Sequence, residues 1–145
     1  QALAVFVGCY GFSILFNIHG KWMVLCVIGG TATWMIYLLC EALGMDVYTM
    51  NLYATIFAAL YSEVMARVRR CPVTPYLVIA IFPLLPGAGV YYTMSLGLQG
   101  EMIEALRKGL ETAGIAGSLA VGILLVSTVF RLLTAFLARR ERKQA

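Results

Sequence analysis

Ile81-Phe82-Pro83-Leu84-Leu85-Pro86-Gly87-Ala88-Gly89 sets two prolines three residues apart, with glycine directly behind them, inside an otherwise apolar run. Its flanks, Tyr76-Leu77-Val78-Ile79-Ala80 and Val90-Tyr91-Tyr92-Thr93-Met94, carry no charge. In a water-soluble chain this stretch is a turn; between such flanks it predicts a membrane helix broken near mid-depth. Neither proline has the N–H of the helical ladder, so Pro83 strands the Ile79 carbonyl and Pro86 that of Phe82. Phe82 and Leu85, each preceding a proline, are pushed toward extended geometry. Gly87 and Gly89 permit unusual dihedrals or close approach of another backbone. The expected product is two half-helices, the first ending in exposed carbonyls and the second starting with free amides at Gly87, Ala88 and Gly89. Hydrocarbon offers these groups no partner, so such a break faces protein or a wet cavity, as the discontinuous helices of transporters do. The amides favour a carboxylate, the carbonyls an ammonium group or cation. The alternative is a proline kink whose freed carbonyls are satisfied by neighbouring helices.

The rest of the chain agrees with a membrane setting. Of its 145 residues 61% are apolar and only 12% charged, which excludes an ordinary soluble domain. Apolar stretches of about 18 to 25 residues follow one another. They predict a single all-α integral membrane domain over residues 1–145 with five transmembrane helices: roughly Ala2 to Ile18, Trp22 to Gly44, Tyr48 to Val68, the broken Tyr76 to Leu98, and Ala113 to Ala138. Residue 1 is Gln and the first apolar run starts at once, which predicts that a short leader is missing. Between the last two spans, Glu101, Glu104, Arg107, Lys108 and Glu111 recur at helical spacing, predicting a short surface helix within Gln99 to Thr112.

Orientation follows from lysine and arginine. Lys21, then Arg67, Arg69 and Arg70, then Arg139, Arg140, Arg142 and Lys143 fall on one side of a five-span layout. Arg107 and Lys108 fall on the other, with Glu101, Glu104, Glu111 and Asp46. The N-terminus is therefore expected outside and the C-terminus in the cytoplasm. The net charge of +4 is that of membrane topology rather than nucleic-acid binding, since no basic face with interleaved aromatics exists. Cys9, Cys26, Cys40 and Cys71 lack metal-ligand spacing and read as small apolar packing residues.

Ionisable groups inside apolar segments need a reason to be there. Glu63 precedes Arg67 by four residues, so it is either half of an ion pair or a proton-coupling carboxylate facing a cavity. Arg131 lies about two turns inside the C-terminal basic cluster and either snorkels to headgroups or neutralises a substrate carboxylate. Glu41 is expected to be solvated. Tyr91 and Tyr92 line a pathway or form an interfacial belt. Asn51 and Thr55 share a helical face and are expected to hydrogen-bond across helices. Gly114, Gly117, Ser118 and Gly122 form a small-residue stripe for helix packing, with weaker points of the same kind at Gly8, Gly11, Gly29 and Gly30. The single histidine, His19, reads as a solvated loop residue. No metal cluster, nucleophile–base pair, phosphate loop or acidic phosphotransferase cluster is present, so neither an enzyme nor a cofactor is expected.

Phe82-Pro83-Leu84-Leu85-Pro86-Gly87 with Tyr91, Glu63-Val64-Met65-Ala66-Arg67, Cys71-Pro72-Val73-Thr74 and the glycine-rich fifth span together resemble the threonine/serine exporter family, in its short C-terminal-type membrane domain. The resemblance covers essentially the whole chain. It implies a small subunit working beside a companion membrane subunit that carries the other half of the exporter. It further implies a bacterial inner (plasma) membrane location and proton-driven export of threonine and serine, or of succinate in the dicarboxylate-exporting branch. On that view Phe82, Pro83, Pro86, Gly87, Gly89, Tyr91 and Arg131 are substrate-binding candidates, Glu63 a proton-coupling candidate, and the fifth span the face toward the companion. A homo-oligomer is a further partner option. A non-transporting scaffold subunit, built on the small-residue stripes, and a channel remain the alternative classes.

Overall fold

The computed structural model describes residues 1–18 and 20–142, with the side chains of Lys21 and of residues 137–142 outside that description. The expectation for His19 and those for Arg139, Arg140, Arg142 and Lys143 lie outside it. All regular structure among the described residues is helical: α1 (Ala2–Leu15), α2 (Lys21–Ala42), α3 (Val47–Arg69), α4 (Thr74–Ile81), a single 3₁₀ turn (Phe82–Leu84), α5 (Gly87–Leu98) and α6 (Met102–Arg142).

Local chemistry sets the ends. Asp46 caps α3, its carboxylate accepting the Tyr48 N–H at 3.2 Å. Arg70 closes the helix in the left-handed region (φ 52°), and Pro72 two residues on prevents continuation. Gly44 and Gly100, at φ 73° and 86°, make the tight turns into α3 and α6.

α3 is the hub. Its buried face, Asn51, Ala54, Thr55, Ala58, Ser62 and Ala66, recurs at helical spacing and is built of small residues, which lets α2, α4 and α6 approach closely. Asn51 and Thr55 do not bond across helices as expected; the Asn51 amide donates to the Val47 carbonyl at 2.8 Å and the Thr55 hydroxyl to that of Asn51 at 2.7 Å. A helical Thr or Asn surrounded by small apolar neighbours finds its nearest acceptor in its own preceding turn. A second cluster gathers Cys9, Cys26, Val27, Tyr76 and Ile79 where α1, α2 and α4 meet. There Tyr61 donates its hydroxyl to the Leu25 carbonyl at 2.7 Å, and a Cβ on Gly29 would meet the Tyr61 ring. Gly8 and Gly11 face open space.

The five expected spans are met only in part, and one expectation changes. Trp22–Ala42 and Met102–Phe136 are long and apolar enough to cross a membrane, and the bent pair Thr74–Leu84 with Gly87–Leu98 adds a third if it is one span. α1 has 14 residues, short of the ~20 that cross a bilayer core, and the Tyr, Thr, Asn and Ser content of α3 lowers its hydropathy. The separate surface helix also disappears. The charged stretch forms the first turns of α6, a single helix of 41 residues, about 60 Å long at the helical rise. No proline or positive-φ glycine interrupts it after Gly100, so the ladder simply continues.

α3 and α6 run side by side in the same direction: Gly114 lies against Tyr48, Gly122 against Thr55, and Arg67 Nη2 donates to Thr134 Oγ1 at 3.2 Å. The first turns of α6 therefore run beyond the start of α3, paired there with α5 through Gly89–Thr112 and Thr93–Gly109 contacts. At the opposite end the α1–α2 and α3–α4 connections come together, and the Arg69 guanidinium sits 5.9 Å from the Trp22 ring centroid.

Candidate functional site

Leu85 is where the chain leaves the helix. It is extended (φ −62°, ψ 128°), Pro86 follows at −79°, 50°, and the two halves meet at a bend of 52°. The ring of Pro86 disfavours the helical conformation at Leu85. Phe82 departs from expectation and stays helical at φ −51°, ψ −44°, because Pro83 sits in the opening turn of the 3₁₀ segment, where no N–H is required.

The freed carbonyls are covered. Phe82 accepts the Leu85 N–H at 3.3 Å. The Ile79 carbonyl is buried against α1 and α2, with the Cys9 thiol 3.9 Å away and a Cβ on Gly30 only 2.9 Å from it. The expected carbonyl site for an ammonium group does not form. The amides fare differently. Gly87 N–H turns back to the Leu85 carbonyl at 2.8 Å, and the Pro86 carbonyl is taken by Val90 N–H at 3.1 Å. Ala88 and Gly89, in the first turn of α5, are left with no acceptor within their helix.

Both residues line a cavity of about 280 Å³. One wall is Pro83 to Pro86; the others are Trp34 and Tyr37 of α2, Asn51 of α3, Tyr92 of α5, and Lys108, Glu111 and Thr112 of α6. It lies toward the α2–α3 end of the bundle rather than at its middle. Lys108 Nζ and Glu111 Oε2 pair at 3.0 Å and are both partly exposed. The Trp34 ring stacks on Tyr37 at 5.0 Å, and its buried Nε1 has no hydrogen-bond partner. Two free amides and a lysine offer donors to a carboxylate, and Glu111 offers an acceptor to an ammonium group.

The candidate residues divide. Pro83, Pro86 and Gly89 line this cavity. Phe82 instead packs its ring 3.6 Å from that of Phe12. Gly87 faces open space, and Tyr91 is 68% exposed while its neighbour Tyr92 takes the cavity wall. Arg131 and Glu63 line a second cavity of about 370 Å³, with Val73, Thr74, Leu77, Leu124, Ser127 and Thr128. Glu63 Oε2 pairs with Arg67 Nη1 at 3.0 Å. The Arg67 guanidinium also lies 4.3 Å over the Phe130 ring. Asn51 and Glu63 stand twelve residues apart on α3, so the cavities are about 18 Å apart along it. Between them Ala54, Leu84 and Leu119 pack together, and Gly122 meets Thr55. Of the small-residue stripe, Gly114 and Gly122 thus face α3 of the same chain; Ser118 donates to the Ile115 carbonyl at 2.7 Å, and Gly117 faces open space.

Sequence reasoning did not find Trp34, Tyr37, Lys108, Glu111 or Thr112. The last three were hidden by assigning the charged stretch to a separate helix; an unbroken helical run past Thr112 would have carried them to the break.

A family model described as "Threonine/Serine exporter, ThrE" matches residues 1–129. Neither a curated protein nor a solved structure matches the chain.

Proposed function

The chain belongs to the threonine/serine exporter family, and from that premise we propose that it is a subunit of a secondary exporter whose substrate passes through the cavity at the α4–α5 break. The observation that carries this reading is the opening of two unpartnered amides, Ala88 and Gly89, onto a cavity that also holds Lys108 and Glu111. A free amino acid brings one carboxylate and one ammonium group. The amides and Lys108 receive the first, Glu111 the second. Succinate, with two carboxylates and no ammonium group, would leave Glu111 opposed to it, so the cavity favours threonine or serine.

The tight seam of Ala54, Leu84, Leu119 and Gly122 supports an occluding layer between two cavities, as alternating access requires. We place the Arg67–Arg131 end in the cytoplasm of a bacterial inner membrane, with five crossings and the N-terminus outside, because the basic residues gather at that end. Glu63 is the candidate proton-coupling group, and a companion membrane subunit completes the pathway.

The test is counterflow of labelled serine, threonine and succinate in vesicles holding this chain with and without its genomic neighbour. Exchange of serine and threonine that requires the chain, with the half-saturating concentration raised about tenfold in Lys108→Gln, the worth of ~1.4 kcal/mol, supports the reading. Flux indifferent to a proton gradient would mark a channel; no flux dependent on this chain would leave a scaffold.

A further inference from the structure

The second cavity holds a concentration of unused hydrogen-bonding capacity. Among the described residues, serine and threonine side chains are partnered almost everywhere. Ser13, Thr31, Thr33, Thr55, Ser62, Thr93, Thr112 and Thr134 each donate to the carbonyl four residues back. Thr49 and Ser118 donate to the carbonyl three residues back, and Ser95 accepts from Gln99. The exceptions are Thr74, Ser127 and Thr128, and all three line the cavity of Glu63 and Arg131. Ser127 and Thr128 lie in the middle of a continuous helix, where back-bonding to the carbonyl three or four residues earlier is open to them.

Charge is distributed in the same way. Glu63 pairs with Arg67 through Oε2; a carboxylate has a second oxygen, Oε1, to offer. Among the described residues Arg131 makes no ion pair, although it shares the cavity with a carboxylate. A cation, an anion and three hydroxyl residues therefore line one cavity of about 370 Å³, with Thr74, Thr128 and Arg131 exposed.

We propose that this cavity is a second binding station, specific for a small amino acid with a side-chain hydroxyl. Arg131 takes the ligand carboxylate, Glu63 Oε1 the ammonium group, and the Thr74, Ser127 and Thr128 hydroxyls its hydroxyl. Discrimination against an amino acid of the same size lacking the hydroxyl arises here, because a site built to hydrogen-bond that group is left unsatisfied by its absence. In the break cavity the one aliphatic hydroxyl, that of Thr112, is already bonded to the Lys108 carbonyl at 2.7 Å, which leaves the bulkier phenols of Tyr37 and Tyr92. The proposal rests on the exporter reading, and adds to it the place where hydroxyl selectivity is set.

Competition separates the two. Vesicles containing the full chain with its companion are assayed for labelled-serine counterflow against unlabelled serine and unlabelled alanine. The triple variant Thr74→Val, Ser127→Ala, Thr128→Val removes hydroxyls that hold nothing in the fold, so its amount in the membrane should match the parent. The preference for serine over alanine is expected to fall about tenfold, the worth of roughly one hydrogen bond, and Thr74→Ser with Thr128→Ser should keep it. A triple variant with unchanged preference overturns the station while leaving the exporter reading standing. A parent that does not prefer serine to alanine overturns it likewise. A parent with no serine counterflow overturns both.

Discussion

Replacing Gly89 by alanine inserts a Cβ where α5 packs against Thr112 of α6. That carbon would meet the Thr112 side chain: Oγ1, Cγ2 at 3.0 Å and Cβ at 3.2 Å. Thr112 cannot easily rotate away, because its hydroxyl is bonded to the Lys108 carbonyl at 2.7 Å. Overpacking of this kind costs about 1–3 kcal/mol, while exchanging glycine for alanine in a helix returns roughly 1 kcal/mol. Gly87, two residues earlier in the same turn, has nothing within 4 Å of its virtual Cβ. Gly87→Ala therefore gains the propensity term without the clash, and the two variants should differ in stability by about 1–3 kcal/mol. Adding Thr112→Ala to Gly89→Ala empties the space the new methyl needs, so a double-mutant cycle should return a favourable coupling of about 1–2 kcal/mol. Unfolding of the purified protein in detergent measures the cycle, and serine counterflow on the same preparations should fall for Gly89→Ala and not for Gly87→Ala. Equal stability of the two single variants, or an additive cycle, would refute the close approach on which the cavity wall depends.

Two further outcomes follow from named contacts. Gly122→Leu should sharply reduce the amount of folded protein, because a Cβ added there would lie 3.0 Å from Thr55 and 3.4 Å from the Leu52 carbonyl; Gly117→Leu, in open space, should not, and similar yields of the two on a detergent size-exclusion column would contradict the α3–α6 seam. Glu63→Gln should shift the pH dependence of serine export if Glu63 carries the coupled proton. If its role is only the 3.0 Å pair with Arg67, export will keep its pH profile and the stability change will stay within ~1 kcal/mol, as for other partly exposed ion pairs.

Much of this protein is written in local chemistry. Helical, apolar character and the break at Leu85–Pro86 follow from composition and from what a proline ring forbids at its own nitrogen and at the residue before it. The approach of α6 to another helix through Gly114 and Gly122 was legible for the same reason, since only absent side chains permit it. The sequence could not say that Phe82 would stay helical while Leu85 would not, because one proline falls in an opening turn and the other after its end. Nor could it say that Tyr92 rather than Tyr91 would face the cavity. A bend of 52° between half-helices sets which side of α5 turns inward.

Only tertiary packing brings distant groups together. Lys108 and Glu111 reach the break because α6 runs unbroken past Thr112 and folds back along α5. Glu63 and Arg131, 68 positions apart in sequence, share a cavity because α3 and α6 run parallel in register. Bond geometry and hydrophobicity act over a few residues and are visible in the string. The pairing of helix faces depends on how whole surfaces fit, and that emerges only in three dimensions.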